Sequence, residues 1–157
     1  MDISIGADHQ RFNYRACAVI LSNNKILALH GTRMPYYYLP GGRVAIGETA
    51  EHAVIREVQE EIGISASILR PLWLNQAFYD GDDNIRYHEL CIYFLMDISN
   101  TDLLSRGKSF TFSEGTRVHT FEWLDFDCLD TLNFVPRFLK KDISHLPEQF
   151  TIRTETE

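Results

Sequence analysis

The order of secondary-structure signals in this 157-residue sequence predicts an α/β/α sandwich around a central mixed sheet. Strand-like apolar runs come first, a well-capped helix follows them, and further strands and a second helical stretch complete the chain. Hydrophobic residues make up 45% of the chain and charged residues 24%, a balance typical of a globular protein with a sizeable core. We therefore expect residues 1–157 to form a single domain.

Apolar runs and a turn mark the strands expected before the helix. Residues 1–13 resemble a lead-in, and residues 15–21 form a continuous apolar run that indicates a buried strand. The polar residues 22–24 signal a turn, so residues 25–30 are expected to return as the hairpin partner of that run.

The helix is defined by its ends and by an acidic face. Thr49 is a suitable N-cap, and Gly63 stands where a glycine commonly ends a helix. At about 100° per residue, Glu57, Glu60 and Glu61 share one face within roughly a third of a turn. Their like charges repel, and a hard divalent cation such as Mg²⁺ or Mn²⁺ would offset the repulsion because it prefers oxygen ligands.

A glycine loop precedes this helix. Gly41 and Gly42 permit positive φ angles and a close approach of the backbone. A carbonyl there could bind metal, and nearby N–H groups could meet phosphate oxygens. Arg56 adjoins Glu57 and could orient or neutralise a carboxylate. The alternative interpretation of the whole stretch is a solvated acidic helix after a tight loop.

A β-hairpin is expected after the helix. Residues 65–79 are rich in Ile, Leu and aromatic side chains, which favour a strand. Residues 80–84 carry a strong Asp-Gly turn signal, and residues 87–96 read as the returning strand.

The last third of the chain gives weaker signals. Residues 100–116 are polar and irregular, and we expect a loop over the acidic site. Residues 119–124 predict a strand, and residues 126–141 predict one or two short helices. Residues 146–157 are polar and are expected to form a surface tail.

The spacing of the loop and helix residues matches a known motif over residues 42–64. The matched positions are Gly42, Glu48, Arg56, Glu57, Val58, Glu60, Glu61, Gly63 and Ile64. The sequence therefore resembles the Nudix (MutT-like) hydrolase family. This resemblance implies a Nudix-type fold, an Mg²⁺-dependent enzyme, and water attack on a phosphorus of a nucleoside diphosphate linked to another group.

The resemblance also implies roles for the helix residues. Glu60 and Glu61 are the expected metal ligands, and Glu57 is either a ligand or the general base. Arg56 would orient carboxylates, and Glu48 would brace the loop or the helix. These five residues are the candidate catalytic group.

Further metal ligands lie outside the helix. The Gly41 carbonyl is one candidate by resemblance. Glu114 is another, because many family members carry an acid in a loop ahead of a Glu-Trp strand, here at Glu122 and Trp123. Glu89 competes with Glu114 for this role.

Substrate contacts are expected from residues near the glycine loop. Arg33 and Arg43 are candidate phosphate contacts because of their proximity to it. The tyrosines before the loop could stack on a base or pack the loop, and Tyr38 is the candidate carried forward. In the family a short strand at this point leads into the motif.

Net charge and the absence of a visible signal sequence limit the expected binding partners and cellular location. The net charge of −7 argues against a broad nucleic-acid-binding surface, although bound metal reverses the local sign for a small nucleotide substrate. No apolar run reaches membrane-spanning length, and no secretory signal is visible, so a cytoplasmic location is expected. Cys17 and Cys91 sit in apolar runs and are interpreted as reduced core residues.

The substrate is the least determined property. ADP-ribose enzymes of the family often show a proline some fifteen residues after the motif, and Pro71 comes too early for that. A nucleoside triphosphate remains equally open. The rival interpretation is a catalytically silent Nudix-fold module that binds a nucleotide or regulates a partner, but such domains often lose motif acids, and here all are present. A homodimer is possible.

Overall fold

The computed structural model describes residues 1–31 and 35–156. Its strands are β1 (Ser4–Ala7), β2 (Gln10–Val19), β3 (Leu21–Ser22), β4 (Lys25–His30), β5 (Tyr37–Tyr38), β6 (Gly41–Arg43), β7 (Ser67–Asp80), β8 (Arg86–Asp97), β9 (Ser109–Glu114), β10 (Arg117–Asp125) and β11 (Thr151–Thr156). Its α-helices are α1 (Ala50–Ile62) and α2 (Leu139–Asp142), and Leu103–Arg106 and Phe126–Thr131 form 3-10 helices.

A six-stranded mixed sheet runs through the centre of the fold. Its strand order is β1-β2-β8-β7-β11. Strand β6 also pairs with β2, beyond the residues of β2 that pair with β1. Strands β2 and β8 are parallel over ten residue pairs, from Gln10 opposite Arg86 to Val19 opposite Leu95. Strand β11 is parallel to β7, and the remaining pairs are antiparallel. The predicted mixed sheet is confirmed.

A second, antiparallel sheet accompanies the mixed one, with the order β3-β4-β10-β9 and β5 paired to β4. Residues 25–30 were predicted to form a hairpin with the apolar run at residues 15–21, and this is wrong for most of that run. Only Leu21 and Ser22 pair with β4, whereas β2 joins the mixed sheet. Because this run is buried on both faces, its apolar pattern does not reveal where the chain changes sheets.

Two cores lie on opposite sides of the sheets. Side chains alternate along β2, so Ala16 and Ala18 pack with α1, whereas Cys17 and Val19 pack on the side of α2. The first core also takes Val58 of α1, which is fully buried. Helices on both sides of the sheet layer give the predicted α/β/α arrangement.

Several local predictions hold. The hairpin of β7 and β8 forms with its turn at residues 80–84, and β10 and β5 lie where strands were expected. The short helices after β10 are also present. Cys17 and Cys91 are free, buried thiols.

Three predictions about irregular segments were wrong. The presumed loop at residues 100–116 contains a 3-10 helix and β9, whose alternating Phe110 and Phe112 pack against the α1 core. The presumed tail forms β11, whose sole large apolar residue, Ile152, is 65% exposed and gives no amphipathic signal. The lead-in contains β1 and the start of β2. Among the helices of residues 1–31 and 35–156, none has the length and apolarity that a membrane crossing requires.

Candidate active site

The two glycines predicted to lie in a loop are part of strand β6 (Gly41–Arg43), and residues 44–49 join that strand to helix α1. We keep the name glycine loop for residues 41–49.

The helix that follows is fixed at both ends. The Thr49 hydroxyl accepts a hydrogen bond from the backbone N–H of His52 at 3.1 Å, as an N-cap does. At the other end Gly63 has a φ of 75°, and its N–H donates to the Gln59 carbonyl. A side chain at Gly63 would also collide with the Phe112 ring. Both predicted helix ends are therefore confirmed.

The guanidinium of Arg56 connects the loop to the helix acids. Its Nε and Nη2 donate to the two carboxylate oxygens of Glu48 at 2.7 and 3.0 Å. Its Nη1 donates to Glu57 at 2.8 Å and to Glu60 at 3.3 Å, and its Nη2 also reaches the Arg43 carbonyl at 3.2 Å. A planar guanidinium suits this set of acceptors because its donors point in fixed directions.

Glu48 holds the loop on its other side. Its Oε1 accepts the backbone N–H of Ala45 at 3.0 Å, in addition to the bonds from Arg56. Hydrogen bonding from Arg56 lowers the pKa of Glu48 to about 2, with the Ala45 N–H acting in the same direction and burial opposing it. The carboxylate is therefore charged throughout the neutral range and braces the loop against the helix.

Glu57 and Glu61 form a close pair of carboxyl groups beside the glycine loop. Burial raises the pKa of Glu61 well above its usual value, and the charge of Glu57 raises it further. Burial also raises the pKa of Glu57, although Arg56 opposes that shift. Glu61 is 7% exposed, and its Oε1 accepts the Gly41 N–H at 3.3 Å.

The absence of a side chain at Gly42 makes room for this pair. A Cβ at Gly42 would collide with the Glu57 carboxylate, and a Cβ at Gly41 would collide with the backbone of Ala16. The two glycines therefore let the loop backbone pass directly over the acids. Glu60 lies at the outer side of the group, where 43% of its side chain is exposed.

The chemistry of this donor set fits a hard divalent cation. Glu57, Glu60 and Glu61 present carboxylate oxygens, and a cation beside the buried pair would offset charges that burial now disfavours. Within residues 1–31 and 35–156, no group of three or more His, Cys, Asp or Glu side chains is arranged to hold a metal ion without other ligands. Mg²⁺ does not need one, because it is commonly held by one or two carboxylates together with substrate phosphates.

The predicted substrate contacts are Arg43, Tyr38 and Arg33, and two of them lie in strands beside the glycine loop. Arg43 is in β6, where its carbonyl meets Arg56. Tyr38 is in β5, and burial raises its pKa, with the charge of Glu61 acting in the same direction. Arg33 lies outside the described residues.

The two competing acids have other partners. The Glu114 carboxylate bonds to Nε2 of His119 at 2.8 Å across the β9–β10 hairpin. Glu89 is buried in β8 and accepts a hydrogen bond from Asn13 at 2.9 Å. Metal binding by Glu114, and by the Gly41 carbonyl, stays a prediction.

Sequence reasoning missed Asn13 and Arg15 of β2, of which Asn13 is buried and Arg15 is partly buried beside the fully buried end of the strand. Asn13 is 3% exposed, although it belongs to a strand whose other end is entirely apolar. The signal was available, since polar side chains inside an otherwise buried strand require partners.

The sequence-family model named NUDIX domain matches residues 12–142 of this chain. These residues include α1, the glycine loop and most of both sheets. The chain belongs to the Nudix family. Curated relatives of this Nudix chain include an ADP-ribose pyrophosphatase of Methanocaldococcus jannaschii, 34% identical over 88 residues, which cover 54% of this chain and 50% of that protein. The chain thus accounts for only half the length of this relative.

A second Nudix relative aligns over more of the chain. The RNA pyrophosphohydrolase of Sphingopyxis alaskensis is 27% identical over 144 residues, which cover 80% of this chain and 86% of that protein. Among solved structures, the mutator MutT protein of Bacillus halodurans has a TM-score of 0.63 at 17% identity, covering 92% of this chain and 89% of that one. At this identity the likeness concerns the fold, and it confirms the predicted fold class.

Proposed function

We propose that this Nudix protein is an Mg²⁺-dependent hydrolase, with Mn²⁺ as a possible substitute, that cleaves the diphosphate linkage of a nucleotide. The observation that carries this proposal is the pair of carboxyl groups formed by the buried Glu61 and the partly buried Glu57, held beside the glycine loop by Gly41 and Arg56. Two ionised carboxylates so placed repel each other, and either a proton or a cation must offset that repulsion. The arrangement is therefore suited to a metal-bound diphosphate and poorly explained by packing alone.

The proposed metal ligands are the carboxylates of Glu57, Glu60 and Glu61, with the Gly41 carbonyl as a further candidate. A cation held by these residues would neutralise developing charge on the phosphoryl oxygens and would make the attacking water more acidic. In the reaction a water oxygen forms a bond to phosphorus, and the bond from phosphorus to the bridging oxygen breaks. A helix carboxylate accepts the proton of that water. Arg56 and Glu48 keep these carboxylates and the loop in place.

The loop is suited to the phosphates. Its backbone can approach closely because Gly41 and Gly42 carry no side chains, and Arg43 follows them with a positive charge. Tyr38, in β5 just before the glycine loop, is proposed to border the nucleotide. Arg33 is proposed as an additional phosphate contact on its sequence position alone.

The substrate class is a nucleoside diphosphate derivative or a nucleoside triphosphate. Two relatives are named ADP-ribose pyrophosphatase and RNA pyrophosphohydrolase, and both names indicate cleavage of a pyrophosphate linkage. The net charge of −7 favours a small nucleotide over a long RNA, because a nucleic-acid-binding surface needs positive charge to neutralise the backbone.

A substrate panel tests this proposal. The purified protein is incubated with Mg²⁺ or Mn²⁺ and with nucleoside triphosphates, ADP-ribose, nucleotide sugars, dinucleoside polyphosphates or 5′-triphosphorylated RNA. Release of phosphate, pyrophosphate or mononucleotide is followed, with Glu60→Gln and Glu61→Gln as controls. We expect one class to be turned over and turnover to be lost in both variants. Wild-type rates in folded variants would contradict the assigned roles.

The same panel distinguishes the binding-module alternative. Tight binding of one compound without turnover by the wild-type protein would overturn the hydrolase proposal in favour of the binding module.

Two broader properties are proposed alongside the hydrolase activity: a cytoplasmic location and a homodimer. Cell fractionation and light scattering after size-exclusion chromatography test them independently of activity.

A further inference from the structure

Strand β11 (Thr151–Thr156) is the outermost strand of the mixed sheet. Among residues 1–31 and 35–156, the only strand that pairs with it is β7. The two strands are parallel over six consecutive residue pairs, from Thr151 opposite Trp73 to Thr156 opposite Phe78. An edge strand with such a regular register presents a row of backbone N–H and C=O groups to which another strand can be added.

Strand β11 lacks most of the features that protect sheet edges. Edge strands are commonly very short, bulged, or interrupted by proline or lysine. This strand has six residues, contains neither proline nor lysine, and carries β-branched Thr or Ile side chains at four positions, which favour a strand. Phe150, just before the strand, is 47% exposed, and Ile152 is also exposed. The edge is therefore open to strand addition, and its two charged residues determine which strand fits.

These charged residues are Arg153 and Glu155. They are two positions apart and so lie on the same face of the strand. Arg153 pairs with Asp142 of α2, and Glu155 accepts a hydrogen bond from Asn75 at 2.7 Å, so both side chains are held in place. The Arg153 side chain nevertheless remains 33% exposed. A partner strand therefore meets one positive and one negative charge at fixed positions.

A second copy of β11 matches this pattern in one register. Parallel pairing in register would set Arg153 against Arg153 and Glu155 against Glu155, and like charges that face each other destabilise a sheet. Antiparallel pairing about a two-fold axis at either charged residue has the same fault. An axis at Thr154 instead sets Arg153 of each copy opposite Glu155 of the other, and Ile152 opposite Thr156. This contact is self-complementary, as a two-fold dimer requires.

The outer strands elsewhere in the fold do not carry this pattern. Strand β1, at the opposite edge of the same sheet, has four residues, includes Gly6 and has no charged side chain. Strand β9, at the edge of the second sheet, has a single charged residue, Glu114. Neither strand can pair opposite charges with a second copy of itself.

We propose that two copies of this chain associate through β11, paired antiparallel about Thr154, so that their mixed sheets form one continuous sheet. This inference rests on the homodimer proposed above and is independent of the hydrolase activity. Strands β7 and β8 separate β11 from β2, the strand that pairs with β6 of the glycine loop. The interface therefore leaves the candidate active site of each copy open.

Disulfide trapping tests both the interface and its register. The background is Cys128→Ser, because Cys128 is exposed whereas Cys17 and Cys91 are buried. Thr154→Cys places one thiol of each copy at the proposed axis. Opposed Cα atoms of antiparallel strands lie about 4.5–5.5 Å apart, which a disulfide can span. Ile152→Cys is the matched off-axis control, since Ile152 faces Thr156 of the second copy. Diamide is the oxidant, and non-reducing electrophoresis is the readout.

We expect covalent dimers from Thr154→Cys and few from Ile152→Cys. Equal cross-linking of the two variants, or none at Thr154 in a protein that is dimeric by light scattering, would overturn this interface and leave the homodimer itself in place. A wild-type protein that is monomeric at every concentration tested would overturn both. Turnover in the substrate panel decides the hydrolase proposal separately.

A charge at the axis tests the same pairing without an oxidant. Thr154→Lys sets two ammonium groups opposite each other, and we expect the dissociation constant of the dimer, measured by sedimentation, to rise roughly tenfold or more. Thr111→Lys is the control, because Thr111 is exposed in the edge strand β9 of the second sheet. We expect this control to dimerise like the wild-type protein. Equal weakening in both variants would reflect the change in net charge and contradict the assigned interface.

Discussion

The guanidinium of Arg56 binds the carboxylate of Glu48 with two hydrogen bonds, of 2.7 Å from Nε and 3.0 Å from Nη2. Glu48 belongs to the loop and Arg56 to helix α1, so this pair joins the two halves of the motif. Because Arg56 also contacts Glu57 and Glu60, the loop and the acids are positioned by one side chain.

Replacing Arg56 with lysine should therefore affect both stability and turnover. A lysine ammonium cannot reproduce the two-pronged contact with Glu48 while also reaching Glu57. We expect a loss of about 1–2 kcal/mol in the free energy of unfolding and a roughly 10- to 100-fold loss of kcat/KM. Urea denaturation and steady-state kinetics measure the two effects.

Arg86→Lys is the control for this change. Arg86 pairs with Asp80 on the surface, where the two side chains are 57% and 70% exposed. Exposed ion pairs contribute little, so neither stability nor turnover should change. Equal behaviour of the two variants would contradict the positioning role of Arg56.

Glu48→Gln should lower the stability of the protein by an amount that depends on pH. The pKa of Glu48 is lowered to about 2 in the folded protein by Arg56, from an ordinary value of 4.5. A lowered pKa means that the carboxylate stabilises the fold fully above pH 4.5 and loses this contribution as the pH falls towards 2. The urea midpoint of the variant should lie below that of the wild-type protein at pH 7, and the gap should narrow below about pH 4.5. A gap that is constant with pH would contradict the ion pair.

Glu61→Gln should stabilise the protein when metal is removed. Burial and the Glu57 charge raise the pKa of Glu61, so the acid favours folding at low pH and disfavours it increasingly as the pH rises. In EDTA, thermal unfolding should show the variant above the wild-type protein at pH 8 and closer to it at pH 5. Glu51→Gln, on the exposed first turn of α1, serves as the control.

Adding Mg²⁺ should reverse this order. A cation bound only by the folded state raises stability by about 2.7 kcal/mol at a hundred times its Kd. The wild-type protein should gain this stabilisation, and the Glu61→Gln variant should lose most of it. A variant that responds to Mg²⁺ like the wild-type protein would remove Glu61 from the set of ligands.

Gly42→Ala should damage turnover more than stability. A Cβ at this position collides with the Glu57 carboxylate, which can rotate away at small energetic cost but then leaves its place beside Glu61. Displacing a reacting group by about 1 Å can cost roughly 100-fold in rate. Circular dichroism should show a normal fold, and the loss should appear in kcat.

Gly47→Ala gives the opposite pattern and serves as the control. A Cβ there meets nothing within 4 Å, but the φ of +83° is unfavourable for alanine. We expect a loss of roughly 1–2 kcal/mol in stability, with kcat unchanged. If both glycine variants lost turnover equally, the collision with Glu57 would not be the cause.

The sequence was most informative where structure depends on neighbours in the chain. Thr49, Gly63 and the spacing of Glu57, Glu60 and Glu61 predict α1 and its acidic face because capping and helical periodicity are local effects. The hairpin of β7 and β8 was predictable for the same reason, since a strong turn joins its strands.

Features that depend on distant parts of the chain could not be predicted in this way. The division into two sheets rests on pairings such as Cys17 with Tyr93, which no local pattern specifies. The partners of Arg56 beyond the helix, at Glu48 and the Arg43 carbonyl, depend on the path of the loop. The prediction of a single domain, and the roles of Glu114 and Arg33, stay predictions.

The parallel pairing of β2 with β8 has a kinetic consequence. The entire glycine loop and α1 lie in the crossover between these two strands, which meet only after some seventy residues have intervened. Contacts so far apart in sequence form slowly, because the closure entropy of the intervening chain is lost before the sheet is gained. The sheet on which α1 and the glycine loop rest therefore cannot be complete until residues up to Asp97 are available to form β8.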